Sequence, residues 1–272
     1  VDPLPSPAEA CAQAIPLAPG AVLRGSTRSA PNQFGASCAN GADGPDRVHV
    51  FDLSTPSRVR IWQQSEHDGA LYLRSRCEDP STELVCGEQG GERRALITAE
   101  LSPGRYYLYS DSYGRSQSGD YVLSIEQTAT PKVPSRAQAC ARANVTPLRP
   151  GEFEIDTFYA TSVLSGSCGG ANAPERLFHL SLSEEKTIQI ELLDPEFDAV
   201  VYLRVECDDE RSELNCVRAP RADASAEGSR TFAATIGPGE YTLGIDGQFE
   251  NEMGAVRVRM TELPFSLPPG GR

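Results

Sequence analysis

Short runs of alternating apolar and polar residues recur along this chain. Val201, Leu203 and Val205 alternate with Tyr202, Arg204 and Glu206. That period of two predicts a strand with aliphatics on one face and Tyr, Arg and Glu on the other. An acidic loop and a short return strand follow, so residues 198–216 form a strand–loop–strand unit. The unit occurs twice. DGALYLRSRCEDPSTELVC at 68–86 and DAVVYLRVECDDERSELNC at 198–216 share D-x3-Y-L-R-x2-C-[DE]-D-x3-E-L-x-C, each matched position offset by 130 residues. A match of this length makes the chain a tandem repeat.

The same comparison places the remaining elements. Strands are predicted at 48–53 and 177–182, with His49, Phe51 and Leu53 aligned to the inward row Phe178, Leu180 and Leu182. Strands at 95–101 and 231–236 follow the hairpin. The turns SPG and GPG then lead into RYYLYSD and EYTLGIDG, where Tyr106, Leu108, Tyr241 and Leu243 face inward. The last strands are 121–125 and 255–260. About eight short strands per repeat, Pro-Gly turns at regular spacing and almost no helical period predict an all-β chain. The expected architecture is two tandem antiparallel β-sandwich domains, jelly-roll-like, each with two disulfides. The expected organisation is an extended leader at 1–7, repeat one at 8–127, a Pro-containing linker at 128–136, repeat two at 137–262 and a tail at 263–272.

Cysteine spacing adds the compartment. Cys11, Cys38, Cys77 and Cys86 recur as Cys140, Cys168, Cys207 and Cys216. Four per repeat, without the C-x2-C spacing of a zinc site and with three histidines in the chain, point to disulfides and an oxidising compartment. Four cysteines allow three pairings. The short spacing favours Cys77–Cys86 and Cys207–Cys216, stapling the hairpins, with Cys11–Cys38 and Cys140–Cys168.

A net charge of −13 argues against nucleic acid and anionic membrane as partners. No apolar run approaches a membrane span, and the absence of a visible signal peptide suggests that the numbering begins at a mature or trimmed end. The acidity is uneven. Residues 8–127 carry 15 acids and 11 arginines, whereas 137–262 carry 22 acids against 11 Lys and Arg.

Candidate chemistry is sparse. Ser167 in GSCG lacks an adjacent base, and His179, the nearest histidine, has no counterpart in repeat one. His67 precedes Asp68 on a loop; Asp68 and its equivalent Asp198 read as turn residues. Arg74 and Arg204 are expected on the outer face, paired with acids across strands. Tyr107 and Tyr109 are expected to face outward, with Trp62 and Tyr113 on the same surface, as an aromatic binding platform. Asp208, Asp209, Glu210 and Glu213 crowd a short loop and form a candidate weak calcium site. No catalytic set is expected.

The order of repeated elements, from GSCG through D-x3-YLR-x2-C and E-L-x-C to P-G-x-Y-x-L, resembles the bacterial pre-peptidase C-terminal domain family. It particularly resembles the cysteine-containing versions found in tandem in secreted proteins of myxobacteria-like organisms. The resemblance implies a β-sandwich, secretion, and an accessory role in binding an extracellular protein or polysaccharide; some related domains of clostridial collagenases bind calcium and collagen. Where many members carry an acidic run after the second hairpin cysteine, this chain has GEQGGE and VRAPRADASAE. The expected function is a non-catalytic secreted or cell-surface binding or adhesion module. The alternative is a structural subunit of an extracellular assembly, with self-assembly; a hydrolase ranks below both.

Overall fold

A computed structural model describes residues 5–89, 94–222 and 229–264. The leader residues 1–4 and tail residues 265–272 lie outside these, as do 90–93 and 223–228 within the segments that follow the hairpins. The chain divides into two units, Val1–Thr130 and Pro131–Arg272, each nearly all β.

Unit one contains helix α1 (Pro7–Ala12) and strands β1 (Ile15–Pro16), β2 (Val22–Ser26), β3 (Arg47–Leu53), β4 (Ser57–Ser65), β5 (Gly69–Arg74), β6 (Glu83–Glu88), β7 (Arg94–Leu101), β8 (Gly104–Ser112) and β9 (Asp120–Ala129). They form two sheets, β1-β3-β8-β5-β6 and β2-β9-β4-β7. Counting β2 to β9 as strands one to eight, the orders are 2-7-4-5 and 1-8-3-6, the jelly-roll arrangement. Unit two repeats it with α2 (Arg136–Cys140), β10 (Thr146–Pro147), β11 (Gly151–Asp156), β12 (Arg176–Leu182), β13 (Lys186–Leu193), β14 (Ala199–Arg204), β15 (Glu213–Ala219), β16 (Thr231–Ile236), β17 (Gly239–Gly247) and β18 (Ala255–Pro264). Its sheets are β10-β12-β17-β14-β15 and β11-β18-β13-β16.

The inward rows build the main cores. Phe51, Leu53, Val59, Ile61, Leu73 and Leu108 are at most 4% exposed in unit one. In unit two Phe178, Leu180, Ile188, Ile190, Leu203 and Leu243 do the same. Each such side chain contributes roughly 1.5–3 kcal/mol by leaving water. The turns before β8 and β17 are closed from inside: Tyr106 Oη donates to Ser102 O at 2.8 Å and Tyr241 Oη to Gly237 O at 3.0 Å.

Two features depart from the alternation. β1 and β10 are two-residue strands parallel to β3 and β12, too short to leave a pattern. β9 and β18 run on to Ala129 and Pro264, into positions expected as linker and tail. Both helices start with a capping box, Ser6 with Glu9 and Ser135 with Gln138, which satisfies the first free N–H groups. Among the described residues no helix is long and apolar enough to cross a membrane.

Candidate functional site

The hairpin strand is buried on both faces. Every residue of β5 and of β14 is buried. Leu71 and Leu73 face the main core, as alternation requires. Their neighbours Tyr72 and Arg74 point the other way, yet are 0% and 2% exposed. Residues 34–42 fold across the outer face of this sheet and make a second small core with Tyr72 and Tyr109. Leu164 with its neighbours does so in unit two. The covering turn in unit one holds Ala39, Asn40 and Ala42 at φ +52, +50 and +48, a left-handed conformation that costs L residues roughly 1–2 kcal/mol each. Burial of Ala39 and Ala42 helps hold it.

The disulfides serve that cover and overturn the expected pairing. The bonds are Cys11–Cys77, Cys38–Cys86, Cys140–Cys207 and Cys168–Cys216. The reason is register. Cys86 lies opposite Tyr72, whereas Cys77 sits beyond the end of β5 at Arg74. Hairpin partners so staggered cannot approach within a disulfide's reach. Cys77 instead ties down α1, and Cys86 ties down the covering loop.

Arg74 and Arg204 do pair across strands with acids, Arg74 with Glu83 at 3.8 Å and Arg204 with Glu213 at 3.3 Å, but under the cover and not on an exposed face. The Arg74 guanidinium lies 5.1 Å from the Tyr72 ring centre and 4.9 Å from that of Tyr109, and donates to Gly35 O. Arg204 lies 4.8 Å over Tyr202, donates to Ser165 O and meets Glu213 at 3.3 Å. A guanidinium replaces a surface cation here because its plane stacks on aromatic faces while its edge donates.

Sequence reasoning missed the buried carboxylates on this face. Asp111 is fully buried. It accepts from Tyr72 Oη at 2.9 Å and Ser112 N at 2.6 Å. Burial and the neighbouring Asp46 push its carboxyl up to about 8. Asp46 accepts from Gln33 N and Phe34 N, and burial pushes it to about 6. In unit two Glu175 accepts from Val163 N and Leu164 N and is pushed to about 7 by burial. Asp246, 0% exposed, rises to about 10 through burial and the charge of Glu175. Asp46 and Glu175 anchor the covering loops, and all four acids are buried and closed to a substrate.

The expected aromatic platform is not one surface. Tyr109 is 0% exposed, sealed under the cover between Tyr72 and Phe34. Tyr107 is half-buried beside it. Tyr113 is 37% exposed, beyond the end of β8. Trp62 lies on β4, in the other sheet, and faces the opposite side of the sandwich. Tyr and Trp on opposite sheets were indistinguishable by alternation alone.

The acidic loop of unit two is also dispersed. Asp209 caps a short 3-10 turn, accepting from Arg211 N at 3.0 Å and pairing with the Arg211 side chain. Glu210 pairs with Arg136 at 2.9 Å. Glu213 turns inward to Ser167 N at 3.1 Å and to Arg204. Asp208 is exposed. Among the described residues no group of three or more His, Cys, Asp or Glu is placed to hold a metal ion.

The histidines and serines have other occupations. His49 is 0% exposed; its Nε2 meets Tyr121 Oη at 2.9 Å, and burial depresses it to about 4. His67, partly buried, is also held below its usual range by burial. Ser167 is engaged with Glu213 through its backbone. His179 Nε2 lies 2.5 Å from Glu240 and 2.8 Å from Arg142. Ser181 Oγ donates to the same Glu240 at 2.8 Å. The hydroxyl there meets a carboxylate, with the imidazole on the carboxylate's other oxygen, so this trio gives no base-activated nucleophile.

The face bearing Trp62 is different. In register across the β2-β9-β4-β7 sheet stand Val22, Ser124, Trp62 and Leu96. Val22 is 64% exposed; Ser124, Trp62 and Leu96 are half-buried. The Arg94 guanidinium lies 5.1 Å over the indole. The equivalent row in unit two is Glu152, Arg259, Glu191 and Thr231, where Arg259 bridges Glu152 and Glu191 at 2.7 Å each. Unit one thus carries apolar surface where its repeat carries an ion-pair ladder.

No family's sequence profile matches the chain, and no curated protein matches it. Solved structures do show a likeness. The pre-peptidase C-terminal domain of a collagenase from Bacillus anthracis is 21% identical over 42% of this chain and 94% of that one, with a TM-score of 0.32. The PBSX exported protein XepA is 14% identical over 96% and 90%, at 0.28. The CUB1-EGF-CUB2 domain of human MASP-1/3 is 8% identical over 88% and 99%, at 0.21. At these values no functional property is taken from them.

Proposed function

We propose that this chain is a secreted or surface-exposed, non-catalytic binding module: two cysteine-bearing sandwiches of the pre-peptidase C-terminal type, of which the first presents the recognition face. Pairing of all eight cysteines supports an oxidising compartment. The observation that carries the binding reading is the contrast at Trp62. Two repeats with one topology differ at this row: where unit two holds ion pairs, unit one holds a half-buried indole. A half-buried aromatic on an open sheet face, with a guanidinium over its ring, supports binding. The test is to probe arrays of extracellular proteins and polysaccharides with the full chain and its Trp62→Ala variant. Capture of at least one class by the wild type, lost in the variant, is expected. Capture of none, or capture that is indifferent to Trp62, overturns the reading. Regular oligomers in size exclusion and electron microscopy, broken by the same variant, would make the chain a structural subunit instead.

A further inference from the structure

Resting on that reading, we infer that the outer face of the β2-β9-β4-β7 sheet takes an anionic polysaccharide, with Trp62 as the stacking residue. Beside the Val22–Ser124–Trp62–Leu96 row runs a second one. Arg24 pairs with Val122, Val122 with Gln64, and Gln64 with Arg94. Its ends lie three strand spacings apart, roughly 14 Å. A guanidinium thus stands at each end of a flat strip whose middle offers an indole, an exposed amide and a half-buried hydroxyl. That is the complement of a short run of sugar rings. On binding, Arg94, which lies 5.1 Å over the indole, turns to an acidic group of the ligand and leaves the indole to stack on the C–H face of one ring, while Gln64 and Ser124 bond hydroxyls and Arg24 meets an acidic group at the other end.

Charge selects the anionic class. Among the described residues, the acids in the rows flanking the strip are all engaged: Glu126 with Arg60 at 2.7 Å on one side, and Glu66 and Asp120 with Arg28 at 2.9 and 3.5 Å on the other. Arg24 is exposed and is left facing solvent. In unit two the residue in register for Arg24 is Glu154, opposite Arg257. The strip is therefore specific to unit one, and stands out from a chain of net charge −13, for which indiscriminate polyanion binding is disfavoured.

The test is affinity electrophoresis of the full chain through gels holding polygalacturonate, dextran sulfate or neutral dextran. Retardation by both polyanions and not by dextran is expected, weakening as salt rises. Trp62→Ala should weaken it about tenfold and Arg24→Glu at least as much. Arg257→Ala, in unit two, should leave it unchanged. Thermal melts check that each variant is folded, and Trp62→Phe, which keeps a ring, should retain part of the binding. Equal retardation by neutral dextran, or full retardation of folded Trp62→Ala, overturns the inference. If the wild type binds neither polyanion but captures a protein, or dimerises, through Trp62, the inference fails while the binding reading stands. If nothing is bound in any format, both fail.

Discussion

Tyr72 and Tyr109 stack face to face, ring centres 4.5 Å apart and planes within 3°, with the Arg74 guanidinium against both rings. The register pairs Tyr202 with Gly244 at the same place in unit two. The glycine lets the Tyr202 ring settle where the second ring would be, so close that a Cβ on Gly244 would fall 2.1 Å from Tyr202 Cζ. The Tyr202 hydroxyl then has no hydrogen-bond partner among the described residues, whereas that of Tyr72 reaches Asp111.

Gly244→Ala should therefore destabilise unit two by about 1–3 kcal/mol, since neither the ring nor the strand can move away. Urea titration would show the shift. An unchanged midpoint would mean that the Tyr202 ring can leave.

The disulfides give a second prediction. Replacing Cys38 and Cys86 together by Ala opens a closure of 48 residues and should cost about 4 kcal/mol. Backbone amides of β5 should then exchange with solvent faster than those of β4, because the covering loop loses its tether while the main core stays. Non-reducing peptide mapping should return 11–77, 38–86, 140–207 and 168–216; a 77–86 peptide would contradict the register.

These elements mark where the sequence was legible. The repeat, the inward rows and the Pro-Gly turns depend on local alternation, and alternation reports one buried face. It cannot report that a distant loop buries the second. Tyr72, Arg74 and Tyr109 look like an outer face in sequence, and they are one; only residues 34–42 lying across it make it an interior. The same blindness misassigned the cysteines, since spacing along a hairpin suggested a staple while the cover needed tethers. Trp62 was picked out for its chemistry and attached to the wrong sheet, because period two says which face of a strand a residue takes and not which sheet the strand joins.

The buried acids predict a pH dependence. In unit two the folded-state carboxyls of Asp246 and Glu175 lie near 10 and 7, above the ordinary values of about 4 in the unfolded chain. The folded state therefore holds protons that the unfolded chain has released. Stability is then greatest in mild acid and falls as pH rises from about 5 through 7 and on toward 10. Asp246→Asn, neutral at every pH, should flatten this slope and make the protein more stable than the wild type at pH 8. Denaturant midpoints measured from pH 5 to 9 would show it. Parallel curves for the two proteins would mean that Asp246 is ionised in the fold.

Arg204 carries the last prediction. Its side chain is 1% exposed and meets four groups at once: the Tyr202 face, Ser165 O, Cys207 O and Glu213. Glu213 is itself 93% buried at its side chain and holds Ser167 N. Removing the guanidinium leaves an acid without its charge partner and a covering loop without its donor. Arg204→Ala should therefore cost about 3–5 kcal/mol, the range for breaking a buried pair from one side. Arg204→Lys keeps the charge but lacks the plane that stacks on Tyr202 and the fork that reaches two directions, so it should recover less than half of the loss. Adding Glu213→Gln to Arg204→Ala removes the stranded charge and should restore part of the stability, a coupling readable in a double-mutant cycle. Strict additivity of the two substitutions would show that Arg204 stabilises the fold independently of Glu213.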